Sequence, residues 1–146
     1  MYRSILVAVD GSETSRGAFD HAVGLARALN ARLTLMTVLA PLPSFVYRAG
    51  VNIGALQAEA EDESKAILRE LADGAPQDIG LTTVWREGDP ATRILEELEP
   101  GAHDLVVLGS RGRGRLRSTL LGSVAADVHF RADVPMLIVH RQDEPD

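Results

Sequence analysis

The sequence predicts an α/β protein: a single open five-stranded parallel sheet, doubly wound, with four main helices, all in one domain over residues 1–146. Three observations carry that reading. Short β-rich runs alternate with longer stretches whose apolar residues recur every three or four positions, the pattern of βαβ units. Two of the runs, Ile5-Leu6-Val7-Ala8-Val9 and Leu105-Val106-Val107-Leu108, are continuously apolar, as strands buried on both faces are. At 146 residues the chain suits one hydrophobic core, and no internal repeat or linker interrupts it. Right-handed crossovers between parallel strands then place helices on both faces of the sheet.

The first strand, Ile5 to Val9, ends at Asp10-Gly11. Ser12 is placed to cap a helix in which Phe19, Ala22, Val23, Ala26 and Leu29 fall at helical spacing, and Asn30 closes it. Leu33 to Leu39 forms the second strand. Pro41, Pro43 and Gly50 mark the loop behind it, where nothing regular is expected. The next helix buries Leu56, Ala60, Ile67 and Leu71 and turns Glu59, Glu61, Asp62 and Glu63 to solvent, until Gly74 and Pro76 stop it. Leu81 to Trp85 is the third strand. Asp89-Pro90 supplies an N-cap and a first-turn proline to a short helix with Ile94, Leu95 and Leu98 on its inner side. Asp104 to Gly109 is the fourth strand, Ser123 to Arg131 holds the fourth helix, and Val134 to His140 the final strand.

The formal net charge of −6 argues against nucleic acid and anionic membranes as general partners, since both ask for a basic face. The absence of cysteine excludes a disulfide framework and thiolate metal ligands, and is compatible with a reducing compartment. The first apolar run breaks at Asp10-Gly11, too short for a signal core or a membrane span. A soluble, cytoplasmic protein with no membrane partner is expected.

Against this acidic background stands Gly109-Ser110-Arg111-Gly112, then nine residues, then Gly122-Ser123. A buried strand ends at Gly109, glycines let the backbone approach an anion, and Gly122-Ser123 opens a helix whose first N–H groups lack helical partners. The spacing reads as a phosphate cradle. Arg111, Arg113, Arg115 and Arg117 alternate through the same loop, and guanidinium forks match phosphate geometry. In an open parallel sheet, ligands sit beyond the carboxyl ends of the strands where strand order reverses. With the first and fourth strands flanking that point, Asp10 and Gly109 converge on one crevice.

Neighbouring motifs fail on particular residues. Arg115-Leu116 stands where a Walker A loop needs Lys and Ser/Thr. Arg117 occupies the last glycine position of a dinucleotide fingerprint begun at Gly112. Gly109-Ser110-Arg111-Gly112 is one residue short of a nucleophile elbow, and His21, His103, His129 and His140 form no i, i+4 pair around a glutamate. No aromatic residue interleaves with the arginines to stack bases, which disfavours an RNA-binding tract. Trp85 and His129 are taken as packing residues, and Asp10 by itself reads as a turn or helix cap.

Three segments together resemble the universal stress protein family: Ile5-Leu6-Val7-Ala8-Val9-Asp10-Gly11-Ser12, the Gly109-x-x-Gly112-x9-Gly122-Ser123 motif, and Asp133-Val134-Pro135-Met136-Leu137-Ile138-Val139. The similarity spans nearly the whole chain, and the glycine motif is similar to that of the family's ATP-binding branch. The resemblance implies a Rossmann-like fold of the adenine nucleotide alpha hydrolase type and a site for ATP with Mg²⁺ or Mn²⁺. It places Asp10 and the backbone of Ala8 and Val9 at the ribose and adenosine side, Val38 at adenine through its backbone, and Gly109 beside the ribose. Gly112, Gly122 and Ser123 would surround the phosphates, helped by Arg111 or Arg113, and Ser110 and Val124 are counted among the nucleotide-binding residues. The ion would be held mainly by phosphate oxygens, with Asp10 or Ser123 as candidate contacts. Where relatives often carry histidine before the position of Val38, this chain has Thr37, a departure expected to touch strand packing more than ligand contact. The loop keeps one glycine, Gly114, where relatives often have two.

Two function classes follow. One is a nucleotide-dependent regulatory or stress-response module; the other is an enzyme that hydrolyses ATP slowly. No positioned general base is evident, which favours binding over turnover. A cyclic nucleotide in place of ATP stays open, and FMN at the same switch point is disfavoured by the scarcity of aromatics near the loops. The apolar last strand, Val134 to His140, is expected at a sheet edge. By resemblance, it would form a homodimer antiparallel to its copy.

Overall fold

A computed structural model describes residues 1–99, 101–111 and 121–140. Its strands are β1 (Ser4–Val9), β2 (Arg32–Leu39), β3 (Leu81–Glu87), β4 (Leu105–Gly109) and β5 (Met136–Val139). Its helices are α1 (Glu13–Leu29), α2 (Ser44–Arg48), α3 (Ile53–Asp73), α4 (Pro90–Glu97) and α5 (Ser123–Arg131). The five strands form one sheet in the order β3-β2-β1-β4-β5, all parallel. Strand order reverses between β1 and β4, where the sequence places the crevice.

The three inner strands are apolar because both their faces are covered. Ile5, Val7 and Val9 of β1 pack with Leu33 and Leu35 under α1 and α3. Leu6 packs with Met36, Val106 and Leu108 under α4 and α5. Burying side chains of this size stabilises the fold by about 1.5–3 kcal/mol each relative to exposure. Each long helix starts where its cap residue stands. Ser12 accepts from Ser15 N, Asn52 from Ala55 N, and Asp89 from Thr92 N with Pro90 in the first turn. Asn30, at φ 53°, ends α1 in the left-handed conformation that asparagine tolerates.

The structure departs from expectation at several elements. The loop after β2 contains α2, a fifth helix. It buries none of its side chains, and Phe45 and Tyr47 are exposed, so it leaves no amphipathic period to read. β3 continues past Trp85 to Glu87, because Arg86 and Glu87 still pair with Val38 and Leu39 although their side chains face solvent. β5 is shorter than Val134 to His140. Val134 lies outside it, and Pro135 joins the ladder only through its carbonyl, which accepts from Val106 N at 3.0 Å. Leu29 is exposed at the end of α1. His129 is also exposed, tilted against Phe130 on the outer face of α5, so it is no packing residue.

At the amino-terminal end of the sheet, His103 joins β1 to α4. Its Nδ1 lies 3.0 Å from Ser4 Oγ and its Nε2 3.3 Å from Glu97 Oε2. Next to it, Asp104 accepts from Arg3 N at 2.9 Å and Ser4 N at 3.1 Å. These groups tie the strand starts together, far from the carboxyl ends where the cavity opens.

Candidate functional site

The turn after β1 is built by Asp10 itself. Gly11 takes φ 86°, a conformation that suits glycine, and lets Ser12 N donate to Asp10 Oδ1 at 2.9 Å. Ser15 Oγ accepts from Asp10 N at 3.2 Å and donates to Ser12 O at 2.9 Å. Asp10 is thus a turn former, and it also lines the cavity described below.

The end of β4 is held just as closely. Gly109 lies against the first turn of α1, where an added Cβ would stand 2.7 Å from Thr14 Oγ1 and 2.8 Å from the Thr14 carbonyl carbon. The glycine is required for helix-to-strand packing, a demand separate from the anion and ribose contacts expected of it. The Thr14 hydroxyl donates to the carbonyl of Arg111 and so fixes the start of the arginine loop. Ser110 N donates to Val139 O at 2.8 Å, and Ser110 O accepts from Gly122 N at 2.6 Å. That second bond brings the two halves of the glycine motif together.

Helix α5 begins at Gly122 with no side-chain cap. Its first N–H groups have no helical acceptors, and the positive end of its dipole faces the same region. The space in front is a cavity of about 830 Å³, within the range of small-molecule sites. One part of its wall is Val38, Pro90, Ile94, Leu108 and Leu121; another is Ala60, Glu63, Ser64 and Ile67 of α3.

Of the residues singled out by sequence, Ala8, Val9, Asp10, Val38, Gly109, Arg111, Gly122, Ser123 and Val124 line this cavity. Ser110 does not: it is 3% exposed, and its backbone closes the loop from behind. Gly112 and Arg113 lie outside the described residues, as do Gly114, Arg115 and Arg117. The α3 wall was not foreseen, although its signal was present. Ala60 and Ile67 belong to the apolar stripe that the sequence assigns wholly to the core; Ile67 does pack there, and both also border the cavity. Glu63, expected at a solvated surface, also lines the cavity. Thr37 borders it too, but the residue is 2% exposed and its hydroxyl is buried in the sheet between Val9 and Trp85. Ser64 supports the wall: its Oγ accepts from Trp85 Nε1 at 2.8 Å and donates to Glu61 O. Lys65 Nζ sits 4.5 Å over the Trp85 ring, which gives Trp85 the packing role expected of it.

Among the described residues two carboxylates are shifted. Asp89, at the start of α4, is held below its ordinary value by the Thr92 hydroxyl and then by Thr92 N. Burial raises Asp104, and the bonds from Arg3 N and Ser4 N outweigh it, so its value is lowered. Neither belongs to the cavity wall. Among the described residues no group of three or more His, Asp or Glu side chains gathers to hold a metal, and no helix is long and apolar enough to cross a membrane.

The family model for the universal stress protein family matches residues 1–140. The chain belongs to this family. It is similar to universal stress protein YxiE of Bacillus subtilis, 33% identical over 147 residues that cover 95% of this chain and 99% of that one. Among solved structures, universal stress protein UspA from Lactobacillus plantarum superposes with a TM-score of 0.70 at 27% identity, over 94% of this chain and 97% of that one. Another is a universal stress protein in complex with cAMP, 33% identical, with a TM-score of 0.67 over 95% and 97% of the two chains. Its sheet and helices place this universal stress protein among structures of known fold over nearly its whole length.

Proposed function

We propose that this universal stress protein is a cytoplasmic regulatory module that binds ATP with Mg²⁺ or Mn²⁺ in the cavity at the carboxyl ends of β1 and β4. The observation that carries the reading is the joining of two unlike surfaces in one cavity. The uncapped start of α5, with Gly122 and Ser123, offers N–H groups to phosphates. The apolar wall of Val38, Ile94 and Leu108 offers an adenine ring a surface that excludes water. Asp10 and Gly109 lie between these surfaces in the chain's layout, on the ribose side. The ion is carried mainly by phosphate oxygens, with Asp10 and Ser123 as the protein's candidate contacts. In this reading occupancy, rather than flux, is the signal. The sequence offers no recognisable general base, so turnover is expected far below the median enzyme rate of about 10 s⁻¹.

A cyclic nucleotide is the second reading, favoured by the related structure that holds cAMP. Calorimetric titration with ATP, adenosine and cAMP separates the two. If ATP is the ligand, replacing Arg111 and Arg113 with Ala weakens ATP much more than adenosine, since each charge-assisted bond to phosphate contributes about 1.5–3 kcal/mol before screening. Tighter binding of cAMP than ATP by the wild-type protein favours the second reading. Equal losses for ATP and adenosine would refute the phosphate role of the loop.

The same family resemblance assigns a homodimer to β5. The open edge supports it. Pro135 O and Val139 O face β4, accepting from Val106 N and Ser110 N, so in a parallel strand the backbone groups of Met136 and Ile138 point to the other side. Among the described residues β4 is the only strand paired with β5. Met136 and Ile138 thus present a donor and acceptor row that a second copy can pair with.

A further inference from the structure

Phe45, Tyr47 and Val51 are exposed within one short stretch of chain, although aromatic and branched apolar side chains ordinarily seek a core. α2, which carries the first two, buries none of its side chains. Its turn bonds close within the segment: Val46 N donates to Pro43 O and Ala49 N to Val46 O. Pro41 and Pro43 join it to β2, and Gly50, at φ 71°, joins it to α3. A segment with so few buried contacts moves against its neighbours at low cost.

Its place in the chain is at the cavity mouth. Ala40, just before the segment, and Glu63, in α3 just after it, both line the cavity and are both exposed. Tyr47 Oη accepts from Gln57 Nε2 at 3.4 Å, long for such a bond and open to solvent. Gln57 stands three residues before Ala60 and seven before Ser64 on the same side of α3, so about 4.5 Å of helix separates it from the cavity wall. Tyr47 is therefore held about one turn from the cavity edge, with its ring 53% exposed. We propose that α2 is a lid: when a nucleotide occupies the cavity, the segment turns about Pro43 and Gly50, and Tyr47 leaves Gln57 to cover the open face of the base. Aromatic rings stack on the face of any base. The inference rests on the adenine-nucleotide reading above and adds to it a moving element and an aromatic contact. Phe45, two positions before Tyr47, lies on the opposite side of the helix and takes no part.

Arg48 is exposed in α2, and trypsin cleaves after arginine, so the rate at which the fragment ending at Arg48 appears reports on the lid. In the full chain, saturating ATP with Mg²⁺ should slow this cut at least about fivefold, and adenosine should slow it too, because the lid answers to the base. In calorimetry Tyr47→Ala should weaken ATP about five- to tenfold, and its Arg48 should stay unprotected even at saturating ATP. Tyr47→Phe keeps the ring and should stay within about twofold of the wild type in both measurements, as should Phe45→Ala. Since α2 buries nothing, all three variants should melt with the wild type. If the wild type binds ATP and Arg48 is cut equally fast with and without it, the lid is overturned while the nucleotide reading stands. Unchanged ATP affinity in Tyr47→Ala, or protection retained in that variant, overturns the lid as well. So does protection that rises with protein concentration in the absence of nucleotide, which assigns α2 to a contact between copies. A wild-type protein that binds neither ATP nor adenosine overturns the nucleotide reading, and the lid with it.

Discussion

Gly109 touches Thr14 across 95 residues of sequence, so closely that a single added carbon at Gly109 would stand 2.8 Å from the Thr14 backbone. The contact seats the first turn of α1 on the end of β4. It also brings the Thr14 hydroxyl to the Arg111 carbonyl, which fixes where the arginine loop leaves the sheet. Both glycines of this motif line the cavity, and Gly109 carries a packing demand as well.

That packing demand is testable at Gly109. Its neighbour atoms include backbone, which cannot rotate aside as a side-chain end can. Gly109→Ala should destabilise the protein by about 1–3 kcal/mol. Urea denaturation of the two proteins gives the difference directly, and unchanged midpoints would show that α1 shifts freely.

At Gly122 the opposite result is expected. Its φ of −66° is open to any residue, so a side chain there does not strain the turn. Gly122→Val should fold with a wild-type circular dichroism spectrum and lose ATP binding in calorimetry, since the valine takes space that a phosphate needs. A folded variant with unchanged affinity would remove α5 from the site.

Asp104 sets an acid limit on stability. Its folded pKa lies below the ordinary 3.8, so its contribution is present above the unfolded value and is lost as pH falls through the folded one. Asp104→Asn should cost stability at pH 7 and flatten the decline below a pH of about 4. Urea midpoints at several pH values measure both, and parallel acid limbs in the two proteins would assign the decline elsewhere.

Ile138→Pro tests the dimer without disturbing the β4 ladder, because the backbone of Ile138 faces the open edge while Pro135 and Val139 face β4. Edge strands accept proline where the lost donor is not part of their own ladder. Sedimentation should show a dimer for the wild type and a monomer for the variant. A wild-type monomer at micromolar concentration would dismiss the dimer outright.

Much of the architecture was legible in the sequence because it depends on near neighbours in the chain. Continuous apolarity at Ile5–Val9 follows from burial on both faces. Ser12 and Asp89 act as caps within three residues of themselves, and Asn30 ends α1 through its own backbone conformation. The glycine motif, read as a cradle, does border a cavity, because a strand end and a helix start are both local features. The short α2 was illegible for the same reason: it buries nothing, so no period marks it.

Other properties were decided only when distant elements met. Ala60 and Ile67 of the α3 stripe read as core, and in the fold both also border the cavity. Gly109 reads as a ligand-site glycine, and its packing demand comes from Thr14. Thr37 reads as an ordinary strand residue, yet folding buried its hydroxyl away from every partner. Spacing along a chain reports which residues share a face of one element. Which atoms are left opposite one another, with room or without it, depends on how the elements pack, and that is where the tertiary structure shaped this site.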